Sequence, residues 1–138
     1  METGKILNNG VKLTRKNKFD AGQDVHSAEE LVIKPRSSAL ISTELFVAIP
    51  DGCVGLLWSR SGLSVKNQIE CGAGCIDSSF RGEVKVHLYN HGDKPFYIKV
   101  GDRIAQLLTM PINLENYTPV EELSSTDRGE DGFGSSDV

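Results

Sequence analysis

The chain has 138 residues, of which 38% are hydrophobic and 25% are charged, and its formal net charge is −4. This length provides one domain with a single core, and the composition is typical of a soluble globular protein. The negative charge argues against a general nucleic-acid binder, and no apolar run reaches the roughly 18–20 residues of a membrane span. Neither stable nucleic-acid binding nor membrane association is therefore expected.

The N-terminal segment and the cysteines indicate where the protein acts. The segment METGKILNNGVKLTRKNK (1–18) has no apolar signal-peptide core. Cys53, Cys71 and Cys75 are an odd number of cysteines, which is typical of reduced thiols in a cytosolic protein. These features predict the cytoplasm, which means the host cytoplasm for a phage- or virus-encoded protein. In a eukaryote the nucleus is a second option.

Short apolar or alternating runs recur along the chain and are separated by turn signals such as Asp51-Gly52. They predict strands at residues 31–35, 39–43, 45–50, 54–58, 83–90, 96–100 and 104–112. Within 83–90, residues 84, 86 and 88 fall on one face of the strand and residues 85, 87 and 89 on the other. At most one or two helical turns are expected, after residues 60–64. Many short strands at this spacing predict an all-β barrel or sandwich.

The last stretch, residues 121–138, has a different composition. It has no hydrophobic periodicity and is rich in Ser, Gly, Asp and Glu. Such a composition favours a disordered tail, because it cannot bury enough apolar area to order itself. Phe133 between two glycines, with Arg128 upstream, instead suggests a loop that closes on a planar ligand. The sequence thus predicts a barrel domain at 1–120 and a flexible C-terminal arm at 121–138.

One cysteine and histidine pattern has nearly the spacing of a ββα zinc finger. Cys71 and Cys75 are followed by His87 and His91, which gives C-x3-C-x11-H-x3-H. A zinc finger requires both histidines on one helix. Here the run VKVHLYN alternates like a strand, and His91 falls in a turn. The pattern therefore favours a strand over a zinc site.

Asp77 stands between a glycine-bracketed turn and the alternating strand at 83–90, in the segment GCIDSSFRGEVKV (74–86). Its position suggests a buried carboxylate. An Asp in such a turn often only bonds to its own backbone. This segment alone therefore does not distinguish a catalytic Asp77 from a turn residue, and other parts of the sequence have to decide.

Three other short segments are candidate binding positions. Arg60, Ser61 and Gly62 follow a strand, and a guanidinium, a hydroxyl and a free amide together can bind an anion. Gln106 lies on a strand after the Gly101-Asp102 turn, and Asp24 lies beside a glycine turn. Each segment taken singly is equally well explained by ordinary turns and surface strands.

The order of these segments is more specific than any one of them. AGQD (21–24), RSG (60–62), GCIDSSFRG (74–82), GDRIAQL (101–107) and RGEDGFGS (128–135) follow each other along the chain. In this combination the sequence closely resembles the trimeric dUTPase family, with all five family motifs in family order. The resemblance implies a distorted jelly-roll-like β-barrel of the β-clip type that forms a homotrimer. It also implies three active sites between subunits that hydrolyse dUTP to dUMP and pyrophosphate, with Mg²⁺ held mainly on the triphosphate.

The resemblance also implies individual roles. Asp77 matches the general base that activates the attacking water, and Asp24 matches an acid that reaches the metal through water. The implied phosphate contacts are Arg60, Ser61, Gly62 and Gln106. The implied base and sugar contacts are Gly74, Cys75 and Ile76 in a hairpin turn, Lys85 on its returning strand, and Phe80 beneath the deoxyribose. In the arm, Arg128, Gly134 and Ser135 match phosphate contacts, and Phe133 matches a ring stacked on uracil.

Some positions depart from the family pattern. Phe80 stands where many members have Tyr, so one hydroxyl is missing and the degree of discrimination against UTP stays open. Ser136-Asp137 replaces a usual Thr-Gly, which adds negative charge near the phosphates. The Cys75 side chain is expected to act as a small apolar filler.

Two alternatives remain open on sequence alone. A dCTP deaminase, bifunctional or not, shares the fold, but it would need a distinct acid for which no candidate is evident, and the complete Phe-bearing arm favours a dUTPase. A binding or regulatory protein on the same fold, such as a phage-encoded signalling version, would add a regulatory protein partner. The five motifs favour catalysis but leave such an added partner open.

Overall fold

The computed structural model describes residues 2–134, which form eleven strands and one short helix. The strands are β1 Lys5–Ile6, β2 Gln23–His26, β3 Leu31–Ile33, β4 Ser37–Leu45, β5 Val47–Ala48, β6 Cys53–Trp58, β7 Ile69–Gly72, β8 Cys75–Ile76, β9 Val84–Asn90, β10 Phe96–Ile98 and β11 Arg103–Pro111. Helix α1 is Ser61–Asn67. No helix in this described part is long and apolar enough to cross a membrane.

All strand pairs in the described residues are antiparallel. The larger sheets have the strand orders β2-β11-β6-β8 and β4-β9-β7, and two-stranded sheets join β1 to β5 and β10 to β3. Most neighbours in space are distant in sequence, so the chain crosses repeatedly between sheets. The result is the predicted all-β, jelly-roll-like barrel.

Alternation with a period of two residues determines which strand side chains lie in the core. On β9, Val84, Val86 and Leu88 are buried, whereas Lys85 and Tyr89 are exposed, as their alternation predicts. They pack in one cluster with buried residues of the other strands, including Ile41, Leu57 and Ile104. One continuous apolar interior therefore connects the sheets on which the candidate site residues lie.

The structure corrects several predicted elements. Four strands were not predicted from the sequence: β1, β2, β7 and β8. They have two to four residues each, too few to show a periodic pattern, and their pairing partners define them. The strand predicted at 45–50 is reduced to Val47–Ala48. Helix α1 begins at Ser61, inside the segment after which it was expected, and ends at Asn67, where the C-cap residue Gln68 has a left-handed φ of 58°.

His87 lies on β9, and the sequence assignment of this run as a strand is confirmed. The Tyr89 ring lies between two histidines, with its centroid 4.5 Å from that of His87 and 5.8 Å from that of His91. Aromatic contact along a strand, and not a zinc-binding helix, is the local arrangement of these histidines.

Candidate active site

One small pocket brings together three of the predicted segments. It has a volume of about 130 Å³ and is lined by Asp24, Arg60, Ser61, Gly62 and Gln106. These residues come from β2, from the start of α1 and from β11, which are far apart in sequence. We refer to this cavity as the anion pocket.

Strand register places Gln106 and Asp24 in the anion pocket. Gln106 pairs with Asp24 on β2 and with Trp58 on β6, so β11 lies between the other two contributing elements. The Gln106 Nε2 atom donates a hydrogen bond of 3.0 Å to the main-chain oxygen of Ser59. This bond fixes the side chain beside the segment that carries Arg60.

Two guanidinium groups flank the Asp24 carboxylate. Arg60 Nε lies 3.8 Å from Asp24 Oδ1, and Arg103 Nη1 lies 3.6 Å from Oδ2. Arg60 Nη1 also donates to the main-chain oxygen of Arg103 at 3.1 Å. Two cations around one carboxylate leave a net positive charge, which favours an anionic ligand. Sequence reasoning did not single out Arg103, although it stands within the GDRIAQL segment.

Ser61 and Gly62 open helix α1, while Arg60 is its extended N-cap residue with φ −81° and ψ 130°. Main-chain N–H groups in the first turn of a helix have no acceptor within the helix. The three neighbouring residues therefore present a guanidinium, a hydroxyl and unpaired amides on the same side of the anion pocket.

Glu70 on β7 holds the segment around Arg60 from both sides. Its carboxylate accepts hydrogen bonds from Ser64 Oγ at 2.5 Å and from Ser59 Oγ at 2.9 Å. The bonds from Ser64 and Ser59, with a smaller contribution from the positive charge of His91, hold the pKa of this carboxyl below its usual value. No sequence pattern indicated this role, because the contact between Glu70 and the two serines forms only when the strands pair.

A second pocket of about 240 Å³ contains Asp77, and we refer to it as the acid pocket. Its lining residues come from β6, β8, the loop at residues 77–83 and β9. They are Leu57, Ala73, Cys75, Ile76, Asp77, Phe80, Glu83, Val84 and Lys85. The structure thus places five of the predicted site residues in one pocket: Cys75, Ile76, Asp77, Phe80 and Lys85.

Gly74 allows the turn of the acid pocket to lie against β6. A Cβ atom at this position would be 2.4 Å from the main-chain oxygen of Leu57, so no larger residue fits without a shift of backbone. The main-chain oxygen of Gly74 accepts a hydrogen bond of 2.8 Å from Leu57 N. The close contact and the hydrogen bond hold the turn before β8 against β6.

The pairing of the turn differs from the predicted hairpin. Strand β8, Cys75–Ile76, pairs with β6, whereas β9, which carries Lys85, pairs with β4 and β7. Lys85 therefore borders the same pocket without lying on a strand that pairs with the turn. The expectation of Cys75 as an apolar filler was also wrong, because its side chain is exposed.

Cys71 differs from Cys75 in being half-buried. Burial, together with the nearby negative charge of Glu70, raises the pKa of the Cys71 thiol to about 11.

Asp77 is exposed, so the expectation of a buried carboxylate was wrong. Its main-chain oxygen accepts a bond from Phe80 N at 3.1 Å, which closes a turn. In residues 2–134 no hydrogen bond reaches its carboxylate from another side chain or N–H group. The alternative of an Asp that bonds its own backbone is therefore not what the structure contains.

The arm residues are separate from both pockets. Arg128 Nε donates to the main-chain oxygen of Asp131 at 2.7 Å, and the Phe133 side chain is fully exposed. Gly134 has a φ of 88°, and Ser135 lies outside the described residues. The anion pocket and the acid pocket have no lining residue in common. Within one chain the predicted site residues therefore form three groups.

The fold and these pockets define an all-β barrel protein suited to a ligand with phosphate groups. A family model described as dUTPase matches residues 8–137. The chain belongs to the dUTPase family.

Curated relatives agree with this assignment. The mitochondrial deoxyuridine 5'-triphosphate nucleotidohydrolase of Dictyostelium discoideum is 46% identical over 97% of this chain and 75% of that protein. The protein of the same name from Oryza sativa subsp. japonica is 43% identical over 100% of this chain and 81% of its own length. In the Yaba monkey tumor virus protein the identity is 42%, over 91% of this chain and 87% of that protein.

Solved structures agree as well. The dUTPase of Staphylococcus bacteriophage 80alpha with dUPNHPP has a TM-score of 0.88 and 35% identity, and the match covers 99% of this chain and 98% of that one. A mutant dUTPase from phage phi11 of S. aureus has a TM-score of 0.81 and 31% identity, over 90% of this chain and 100% of that one. That structure concerns the coordination of a structural Mg(II) ion.

Proposed function

We propose that the protein hydrolyses dUTP to dUMP and pyrophosphate, and thereby limits uracil incorporation into DNA and supplies dUMP for dTMP synthesis. The observation that carries this proposal is the anion pocket of a dUTPase-family chain, in which residues from three of the five motifs meet. The acid pocket adds the one carboxylate that the chemistry requires.

Asp77 acts as the general base of this reaction. Its exposed carboxylate takes a proton from a water as the water oxygen bonds to the α-phosphorus. The bond from that phosphorus to the oxygen bridging to the β-phosphate breaks at the same centre, and pyrophosphate leaves with the electron pair. One oxygen–phosphorus bond thus forms and one breaks at the α-phosphorus, and the proton moves from the water to Asp77.

The anion pocket holds the triphosphate. The guanidinium groups of Arg60 and Arg103, the Ser61 hydroxyl, the Gly62 amide and the Gln106 side chain supply donors to phosphate oxygens. Their positive charge opposes the charge that builds up as the reaction proceeds, which lowers the barrier. In the closed complex Arg128, Gly134 and Ser135 of the arm would add further contacts.

Mg²⁺ fits this pocket as an ion carried mainly by the substrate. No group of three or more His, Cys, Asp or Glu side chains is placed to hold a metal within residues 2–134. Mg²⁺ usually binds one or two carboxylates together with substrate phosphates, and Asp24 offers one carboxylate beside the phosphate donors. Asp24 would hold the ion through water, and the bound ion would neutralise phosphate charge.

The acid pocket selects the nucleoside. The N–H and C=O groups of the turn from Gly74 to Ile76 that are not bonded to β6 would imitate a base-pairing edge for uracil, and the pocket beside them would exclude the methyl group of thymine. Lys85 borders this edge, and the Phe80 ring packs beneath the deoxyribose, where it opposes a 2'-hydroxyl. Phe133 of the arm stacks on the uracil ring.

A pyrophosphate-release assay with dUTP, dCTP, dTTP and UTP tests the proposed function. We expect kcat/KM for dUTP to exceed that for each of the other nucleotides by at least about tenfold, because pocket shape and main-chain hydrogen bonds oppose the alternatives. Ammonia release from dCTP would instead support a deaminase. The absence of dUTP hydrolysis by folded protein would contradict the proposal.

A homotrimer is the proposed assembly. The anion pocket, the acid pocket and the arm are three separate groups in one chain, and an assembly that joins groups from different subunits would complete each site. Apolar side chains of the segment after β11, including Leu114, Tyr117 and Leu123, are exposed in the single chain and suited to contact with a neighbour. The arm would thus reach the site of an adjacent subunit.

Sedimentation equilibrium at micromolar concentration should therefore return three times the 15.0 kDa chain mass. The physical reason is that the exposed apolar segment gains by burial between subunits. The monomer mass over the whole concentration range would contradict a shared site.

The place of action that we propose is the cytoplasm, which is consistent with three free cysteines.

A further inference from the structure

Glu83 is the last residue of the loop at residues 77–83 and lines the acid pocket. Its Oε2 atom accepts three hydrogen bonds from β4. The donors are Ser42 Oγ at 2.5 Å, Thr43 N at 3.2 Å and Glu44 N at 2.8 Å. A single carboxylate oxygen thus accepts hydrogen bonds from three consecutive residues of β4.

An irregularity in β4 produces this cluster of donors, and we call residues 42–44 the β4 bulge. The register of β4 on β9 shifts between Ile41 and Leu45, and Glu44 has a left-handed φ of 56°. Two successive N–H groups consequently turn towards the same point, as they do in a bulge. Thr43 Oγ1 donates to the main-chain oxygen of Val84, which ties the start of β9 to the same bulge.

The Glu83 carboxyl is charged at neutral pH. Its hydrogen bond with Ser42 is the main reason that its pKa lies below the usual value, and the bonds from the Glu44 and Thr43 amides act in the same direction. Hydrogen bonds to a charged acceptor are about twice as strong as neutral ones. Three charge-assisted hydrogen bonds therefore attach the loop to the β4 bulge.

The other hydrogen bonds of the loop stay within the loop. Phe80 N donates to the Asp77 main-chain oxygen, and Arg81 Nη1 donates to the main-chain oxygens of Ser78 and Phe80. In residues 2–134, Glu83 is the residue of this loop whose hydrogen bonds extend to the barrel. The loop is thus internally closed and anchored at its C-terminal end.

The Phe80 ring depends on this anchored end. A Cβ atom on Gly82 would lie 2.7 Å from Phe80 Cζ and 3.0 Å from Cε1, so the ring rests directly against the Gly82 backbone. Glu83 is the next residue in the chain. Movement of Glu83 away from the β4 bulge would carry Gly82 with it and remove the support beneath the ring.

We propose that Glu83 is a positioning residue for substrate selectivity: by holding the end of the loop on the β4 bulge, it fixes the Phe80 ring and thereby sets the discrimination between dUTP and UTP. This inference rests on the proposed function. Glu83 contacts neither water nor phosphate in the reaction, and it acts through Phe80.

The test compares kcat/KM for dUTP and for UTP in the trimeric, full-length protein. Glu83→Ala should lower the ratio of the two values about tenfold or more, because small displacements of a positioned group have large effects on rate. Glu83→Gln keeps an acceptor oxygen and should lose less of the ratio. Ser42→Ala removes one of three donors and should show the smallest loss.

Two further variants distinguish positioning from general stability. Asp93→Asn is the control, since Asp93 Oδ1 also accepts a bond from a distant residue, at 2.8 Å from Arg36 Nη1, but Asp93 neither lines the acid pocket nor contacts the β4 bulge. Its selectivity ratio should be unchanged. The double variant Phe80→Ala with Glu83→Ala should lose no more selectivity than Phe80→Ala alone, because both residues act through one contact.

An unchanged ratio in Glu83→Ala, with only a lower melting temperature, would overturn the inference. The same holds for additive losses in the double variant. Should Glu83→Ala fail to fold, Glu83→Gln and Ser42→Ala decide, and full selectivity in both would overturn it. A wild-type protein that does not hydrolyse dUTP would overturn the proposed function and this inference with it, whereas hydrolysis with unaltered selectivity in the variants would overturn the inference alone.

Discussion

Replacement of Asp77 by asparagine should lower kcat for dUTP by roughly 10²–10⁴-fold, the usual effect of removing a positioned general base. The amide of asparagine has nearly the shape of the carboxylate but cannot take a proton from water. Binding of the nucleotide should be largely retained, because Arg60, Gln106 and the acid-pocket turn are unaltered. The loss should therefore appear in kcat and not in KM.

The structure explains why this substitution should leave the fold intact. Asp77 is exposed, and no hydrogen bond within residues 2–134 reaches its carboxylate. The turn that it begins is closed by its main-chain oxygen, which asparagine also has. Exposed substitutions away from buried networks usually change stability by no more than about 0.5 kcal/mol.

Circular dichroism and a calorimetric dUTP titration should accompany the rate measurement. Asp51→Asn is a matched control, because Asp51 is an exposed acid in the turn before β6 and lines neither site pocket. It should keep the wild-type rate. Turnover of Asp77→Asn within tenfold of wild type, in folded protein, would remove Asp77 from its proposed role.

Deletion of residues 126–138 should abolish most of the activity while the melting temperature stays nearly unchanged. The described hydrogen bonds of this segment are local, such as Asp131 N to the Arg128 main-chain oxygen at 3.2 Å and Gly129 N to Thr126 Oγ1 at 3.1 Å. Residues 126–134 contribute no buried side chain. The barrel core therefore loses nothing when the arm is removed.

Catalysis should suffer because, in the proposed mechanism, the arm residues act only around a bound nucleotide. The Phe133 ring would stack on uracil, and the Arg128 guanidinium and nearby amides would surround the phosphates. Ordering a flexible residue costs about 1–2 kcal/mol in backbone entropy, so the nucleotide has to supply this free energy when the arm closes. Closure would then expel water and strengthen charge interactions at the reacting phosphate.

Phe133→Ala is a milder test of the same arm. Stacking of a base on an aromatic side chain is worth roughly 1–3 kcal/mol, so this variant should bind and hydrolyse dUTP more weakly. Phe133→Trp keeps a flat ring and should retain most of the activity. If the truncated protein hydrolyses dUTP at the full-length rate, the arm has no catalytic role and the fifth motif is a coincidence.

The all-β class and most of the longer strands were predictable from the amino-acid sequence. The alternation along β9 and the apolar run of β6 are local patterns: both predicted strands, and on β9 the alternation also separated the buried face from the exposed one. The order of five short motifs was enough to identify the family. These properties are encoded in neighbouring residues, and for that reason they can be read before any strand has paired.

How those segments meet became visible in the folded structure. Long-range pairing of β11 with β2 and β6 places Gln106 beside Asp24 and brings in Arg103, and pairing of β8 with β6 replaces the expected hairpin. Asp77 proved to be exposed because its turn lies at the edge of the acid pocket, which its neighbours along the chain could not indicate. The hold of Glu83 on the β4 bulge joins residues about 40 positions apart. Contacts over such distances depend on which strands pair and in which register. These strands lie far apart in the sequence, so the buried faces of both partners decide the register, and neither segment shows it alone.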